Sequence, residues 1–251
     1  MLYNPHKKGT IILSHYRSGG THLMLTAWLS IGEKNTTNFS EWKYNEHDYT
    51  NSTSYKKLYD LLESADKYSL LLINHPVDLY HFYQNNVFEK LKDDYEIVIL
   101  ERKNKVNCLL SLPLWEMFIK SGLFKDSKLW TKENMNKFHE EMLNDKIGTK
   151  GITLGYTNQT SHLNGLLKDF VADIHLLHKI ENKYGFKKIY YEDFEHDSGE
   201  ICSWFPTIEK DIVVEKFYQT LNKIPYVSDN YLDYYTDGVR DFIKGWKIDE
   251  L

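Results

Sequence analysis

Cysteine is nearly absent from this chain of 251 residues: Cys108 and Cys202 are the only two. Two cysteines cannot build a disulfide framework or a multi-cysteine zinc site. Long apolar runs are missing as well. Stretches such as Leu70-Leu71-Leu72-Ile73 have the length of a strand and fall far short of a bilayer span. The first residues, Met1-Leu2-Tyr3-Asn4-Pro5-His6-Lys7-Lys8, lack the apolar middle of a secretory leader, so a cytoplasmic protein is expected. Without such a leader, the Asn-x-Ser/Thr sites at Asn35, Asn38, Asn51 and Asn158 read as by-products of an Asn-rich composition. There is no basic excess either. Against 31 Lys and Arg stand 36 Asp and Glu, a formal net charge of −5, which argues against a general nucleic-acid binder. A small anion needs only a few focused donors and stays compatible with this balance. Repeats, low-complexity tracts and linkers are absent too.

What is present is an ordinary globular balance, 41% hydrophobic and 27% charged, enough to fill the core of one large domain spanning 1–251. Four apolar runs stand out: Thr10–Ser14, Ser69–Asn74, Glu96–Glu101 and Lys188–Tyr191. They show little polar alternation, as strands buried on both faces do. Helical periodicity lies between them, clearest in His162–Lys183, where apolar residues recur at three- and four-residue steps. Strands alternating with helices predict a three-layer α/β domain around a mainly parallel sheet. Ligands of such sheets bind beyond the carboxyl ends of the strands, so the segments after Ser14, Asn74 and Glu101 are the places to search. Two polar stretches, Asn35–Ser54 and Thr149–Ser161, are expected to be loops.

The first segment reads His15-Tyr16-Arg17-Ser18-Gly19-Gly20-Thr21-His22-Leu23 and runs into a helical pattern. Glycines let backbone approach an anion, a helix start offers N–H groups, and Arg17 adds charge. Ser18 and Thr21 can donate hydroxyls or cap the helix. The nucleotide pattern GxxxxGK[ST] is absent, so no Lys-Ser/Thr pair holds a triphosphate and its metal. Tyr16–Thr21 resembles the 5′-phosphosulfate loop, P-[KR]-S-G-[ST]-[ST], of the sulfotransferases that use 3′-phosphoadenosine 5′-phosphosulfate (PAPS). Tyr16 stands for the usual proline and Gly20 for a hydroxyl residue. The resemblance implies that Arg17, Ser18, Gly19, Gly20 and Thr21 hold the 5′-phosphosulfate, on a P-loop-like turn.

Two more segments match in order. Leu100-Glu101-Arg102-Lys103, running on to Ser111, is similar to the family's 3′-phosphate element, a basic strand end followed by a helix serine. The family's spacing of eight fits Lys103 to Ser111 (111 − 103), whereas the tandem basic pair of bacterial trehalose-type relatives fits Arg102. Arg102 and Ser111 are therefore assigned, with Lys103 as possible partner. Tyr190-Tyr191-Glu192-Asp193-Phe194 resembles the family's strand-ending Y-E-D element at the sheet edge.

Sulfuryl transfer needs a base for the acceptor's proton. His75, in Ile73-Asn74-His75-Pro76, is similar to the K-T-H-x-P histidine of the cytosolic sulfotransferases, with Ile73 in place of the lysine. Glu41 occupies a position like that of the glutamate base of trehalose-type relatives; His75 is the expected base and Glu41 the alternative. Arg17 completes the expected catalytic set. No metal is expected, since the His175/His178 pair falls on a helix where packing explains it. The implied donor is PAPS and the implied acceptor is a small molecule or glycan. A nucleotide kinase or NTPase, and a non-catalytic nucleotide-binding module, are the rival readings. The 19 tyrosines and 6 tryptophans do not identify an acceptor. Arg240, in the C-terminal helical pattern, is read as a surface ion-pair residue.

Overall fold

The computed structural model describes residues 2–32, 35–38, 60, 62–120, 159–193, 204–205, 231–246 and 248. Strand β1 (Gly9–Ser14) leads into helix α1 (Gly20–Ile31), and β2 (Thr36–Asn38) follows. Strand β3 (Tyr68–Ile73) precedes α2 (Pro76–Gln84) and the short α3 (Val87–Leu91). Strand β4 (Tyr95–Glu101) precedes α4 (Lys105–Lys120), and the long α5 (Gln159–Tyr184) runs into β5 (Lys187–Tyr190). A 3₁₀ turn, Tyr191–Asp193, ends that strand; a second, Tyr231–Tyr234, precedes α6 (Asp237–Lys244).

The five strands lie in the order β2-β3-β1-β4-β5, every pair parallel. From β1 the chain goes to the edge strand β2, returns inward to β3 beside β1, then crosses to β4 and β5 on the other side. Such a reversal opens a crevice at the carboxyl ends of the strands beside β1. The expected α/β fold is what the chain adopts. Strands β1, β3 and β4 are buried on both sides because alternate residues feed two cores. Ile11, Leu13, Leu71, Ile73, Ile97 and Ile99 pack with α2, α3 and the end of α5. Ile12, Leu70, Leu72, Val98 and Leu100 face the other way, onto Leu23, Met24 and Ala27 of α1.

Two expectations change at the boundaries. The polar stretch from Asn35 contributes a strand, Thr36–Asn38, paired in register with Tyr68–Leu70. Helix α5 begins at Gln159, so the end of the expected Thr149–Ser161 loop is helical.

The chain groups into two compact units: residues 1–103 with 173–217, and residues 104–172 with 218–251. The first holds the sheet. In the second, Tyr231 donates its N–H to Asn107 Oδ1 (3.2 Å), and the Tyr235 hydroxyl donates to the Leu110 carbonyl (3.0 Å). Arg240 donates from Nε to the Leu232 carbonyl (2.8 Å) and lies 3.6 Å from Asp237, the ion pair expected of it. Among the described residues no helix is long and apolar enough to cross a membrane.

Candidate functional site

The turn after β1 is tightly wound. Arg17 adopts φ 63° and Gly19 φ 86°, both left-handed, on either side of Ser18. Ser18 is buried and its hydroxyl donates back to the His15 carbonyl at 2.8 Å, closing the turn. Its proton is thereby committed within the loop, though its oxygen can still accept. Gly19, not Ser18 or Thr21, is the N-cap of α1, and no side chain caps that helix. The first helical bond is Leu23 N–H to the Gly19 carbonyl (3.1 Å), so earlier amides of the first turn fall outside the ladder. A left-handed Gly19 followed by helical Gly20 turns successive N–H groups to one side, which makes an anion-binding concavity. Arg17 itself sits in a conformation that costs a non-glycine residue about 1–2 kcal/mol.

Both glycines have packing reasons as well. A Cβ on Gly19 would sit 2.0 Å from Cδ2 of Tyr191. A Cβ on Gly20 would sit 2.6 Å from a Leu72 methyl, where α1 presses onto β3. The departure from a hydroxyl residue at position 20 thus fits a close helix–sheet contact.

Tyr191 joins the loop to the end of β4. One side of its ring covers Gly19, and the Arg102 guanidinium carbon lies 4.4 Å from the ring centroid. Arg102 is buried, with its Nε 3.8 Å from Glu192 Oε1. Glu192 also accepts the Lys103 N–H (2.8 Å), while the exposed Lys103 ammonium binds Asp193 at 2.7 Å. That hydrogen bond raises the Lys103 pKa and fixes its charge. The Y-E-D element, read in the sequence as a sheet-edge organiser, therefore grips both basic residues. Its tyrosine is the residue that sequence reasoning missed, although the motif itself was visible.

His75 follows β3 at the N-cap of α2, ahead of Pro76. Its Nδ1 accepts the Val77 N–H at 3.3 Å. Tyr16 stands edge-on to the imidazole, ring centroids 5.7 Å apart, which sets His75 beside the phosphosulfate-like loop. Burial lowers the pKa of His75 below its usual value, partly offset by Asp78. His15 is fully buried, and its Nδ1 lies 3.0 Å from the Tyr16 carbonyl. A carbonyl can only accept, so this nitrogen carries a hydrogen.

Ser111 lies in the second unit, on α4, buried with its hydroxyl donating to the Cys108 carbonyl (2.7 Å). Glu41 lies outside the described residues. One cluster was not foreseen. Buried Glu101 at the end of β4 faces His178 (3.3 Å) and Lys188 (3.2 Å), and Lys188 also holds Glu181 (2.6 Å). Glu101, His178 and Glu181 bring their ligand atoms within 4.8 Å of one another. The Lys188 ammonium already supplies the positive charge there. No side chain pattern in the sequence announced this cluster, because its members come from β4, α5 and β5.

No protein-family profile matches the chain. No curated protein matches it by sequence. Among solved structures, a mouse sulfotransferase crystallised in complex with PAP is similar at 13% identity and a TM-score of 0.42, covering 96% of this chain and 80% of that one.

Proposed function

We propose that the protein transfers a sulfuryl group from PAPS to a hydroxyl or amine of a small-molecule or glycan acceptor. The observation that carries this reading is the Gly19–Tyr191–Arg102 stack. It brings an anion-binding turn and a buried guanidinium against one ring, at the carboxyl ends of neighbouring strands β1 and β4. Two anionic groups on one ligand match that arrangement, and PAPS carries them at its 5′ and 3′ positions. Arg17 and the amides of residues 18–21 bind the 5′-phosphosulfate. Arg102 binds the 3′-phosphate. Lys103 is the weaker candidate because Asp193 already holds its ammonium. Ser111 is assigned to the same phosphate on its spacing in the sequence alone.

The chemistry suits the residues present. A sulfuryl group carries less charge than a phosphoryl group, so directed N–H donors can stabilise the departing oxygen without a triphosphate-metal clamp. His75, beside the loop, and Glu41 are the candidate bases. A binding titration with PAPS, its desulfated product PAP, AMP and ATP tests the reading. Tight binding of the first two with weak AMP and ATP supports it. Preference for ATP would return the protein to the NTPase reading, and PAP binding without transfer to any acceptor panel would leave a non-catalytic module.

A further inference from the structure

The geometry points to a second site, independent of the sulfuryl-transfer reading: Glu101, His178 and Glu181 bind one divalent cation of the zinc class. Topology brings the three together. His178 and Glu181 are one turn apart on α5, at positions i and i+3, a spacing that puts both on one helix face. Glu101 ends β4, on the sheet face that Ile97 and Ile99 turn toward α5. Leu100, next to it, turns the other way, toward α1. All three residues belong to the first compact unit.

Glu101 is the residue that calls for a cation. It is 3% exposed, and among the described residues its Oε1 accepts no hydrogen bond of proper geometry. A buried carboxylate so placed is costly. Oε1 faces His178 Nε2 at 3.3 Å and Lys188 Nζ at 3.2 Å. The Lys188 ammonium also stands 2.6 Å from Glu181, so two carboxylates share one positive charge. A divalent cation balances both carboxylates, and a neutral imidazole then ligates through its Nε2 lone pair. The three ligand atoms already lie within 4.8 Å of one another. Bonds of about 2.0–2.2 Å to one ion set ligand atoms about 3–4 Å apart, so a small contraction closes the site. The His178 and Glu181 side chains are each 31% exposed, which leaves an edge open for a water ligand. The imidazole selects zinc-class ions over Mg²⁺ and Ca²⁺, which take oxygen ligands. Lys188 is the built-in competitor: its ammonium lies between the carboxylates and turns out to water as the metal enters. Bound metal pins α5 to the end of β4, one residue before Arg102.

The test strips the full chain of metal with EDTA, removes the chelator by dialysis, and titrates with Zn²⁺ by calorimetry and with Co²⁺ by visible absorption. A stoichiometric Zn²⁺ site of about micromolar affinity or tighter is expected. His178→Gln and Glu181→Gln, both at partly exposed side chains, should each weaken it at least about tenfold, the low end of what even outer partners of a metal cost. Lys188→Met should tighten it about three- to tenfold, because the competing ion pair is gone. Binding unchanged in both glutamine variants places the ion elsewhere and overturns the inference. Binding by Lys188→Met alone also overturns it, since the ammonium is then the resident cation. A Co²⁺ spectrum of the wild-type chain identical to that of the aqueous ion overturns it with no variant needed. Arg17, Arg102 and the loop amides are not among the ligands, so failure here leaves the proposed function standing, and the reverse holds.

Discussion

Gly19→Ala is the substitution that probes the site most directly. Two separate costs meet at that position. Backbone at φ 86° is left-handed, which disfavours an L side chain by about 1–2 kcal/mol. The added methyl would also lie 2.0 and 2.4 Å from two carbons of the Tyr191 ring, too close for either to stay. The ring would have to leave Gly19, and with it the stack under Arg102, a contact worth about 0.5–2 kcal/mol. Together these give a destabilisation of about 1.5–4 kcal/mol in chemical denaturation. The two costs separate in a double-mutant cycle with Tyr191→Ala. Without the ring only the backbone cost remains, so the same substitution should then cost about 1–2 kcal/mol. PAP affinity, read by calorimetry, should fall in Gly19→Ala in either background, because loop shape is altered in both. An identical stability cost with and without the Tyr191 ring would refute the stacked arrangement. So would a cost within about 0.5 kcal/mol of zero, the range of ordinary surface changes.

Three further outcomes are expected. Arg102→Ala should lower PAP affinity by about one to two decades with little effect on AMP, while Lys103→Ala, already paired to Asp193, should change the ratio much less. Transfer should survive EDTA, because binding is assigned to Arg17, Arg102 and backbone amides; loss on chelation with recovery in Mg²⁺ would favour the phosphoryl-transfer rival. Stability should rise with pH up to about 6.5: burial depresses the His75 pKa, so between its folded value and the ordinary one the unfolded state binds more protons. His75→Asn, which can still cap α2, should remove that part of the slope, and an unchanged pH profile of unfolding would contradict it.

The sheet was legible because its strands are buried on both faces. Such strands must be continuous apolar runs, and four of them stood out within a residue or two of their ends. Strand β2 was not legible. Thr36-Thr37-Asn38 is polar and only three residues long at the sheet edge, where burial imposes no pattern. The loop after β1 was legible as a tight strand-to-helix turn from its glycines. The duties of individual side chains were not. Ser18 was open to donating its hydroxyl or capping the helix, and its hydroxyl closes the turn on His15. At Gly20, where the family pattern has a hydroxyl residue, a Leu72 methyl occupies the space a side chain would need. The first is a local bond three residues back along the chain, and the second depends on a neighbour 52 residues away. The N-cap role of His75 had a local clue, since Pro76 after it marks a helix start and a capping position.

The choice between Arg102 and Lys103 shows how far geometry can carry a question that spacing leaves open. The eight-residue spacing to Ser111 favours Lys103, because spacing counts positions and ignores environment. Lys103 is exposed, and its ammonium is engaged by Asp193 in water, where such a pair is worth little and a phosphate would have to compete for it. Arg102 is buried, its guanidinium carbon lies 4.4 Å from the Tyr191 ring centroid, and its fork carries five N–H donors. Glu192, 3.8 Å from Nε, orients that fork while also fixing the backbone at Lys103. A guanidinium already removed from water loses little hydration when an anion arrives, and the low dielectric around it strengthens the attraction. The exchange Arg102→Lys should therefore fail to preserve binding even though charge is kept. An ammonium has neither the flat face that Tyr191 supports nor the paired donors that match a phosphate edge. Retention of PAP affinity within about threefold in Arg102→Lys, alongside loss in Lys103→Ala, would move the 3′-phosphate contact one residue along the chain.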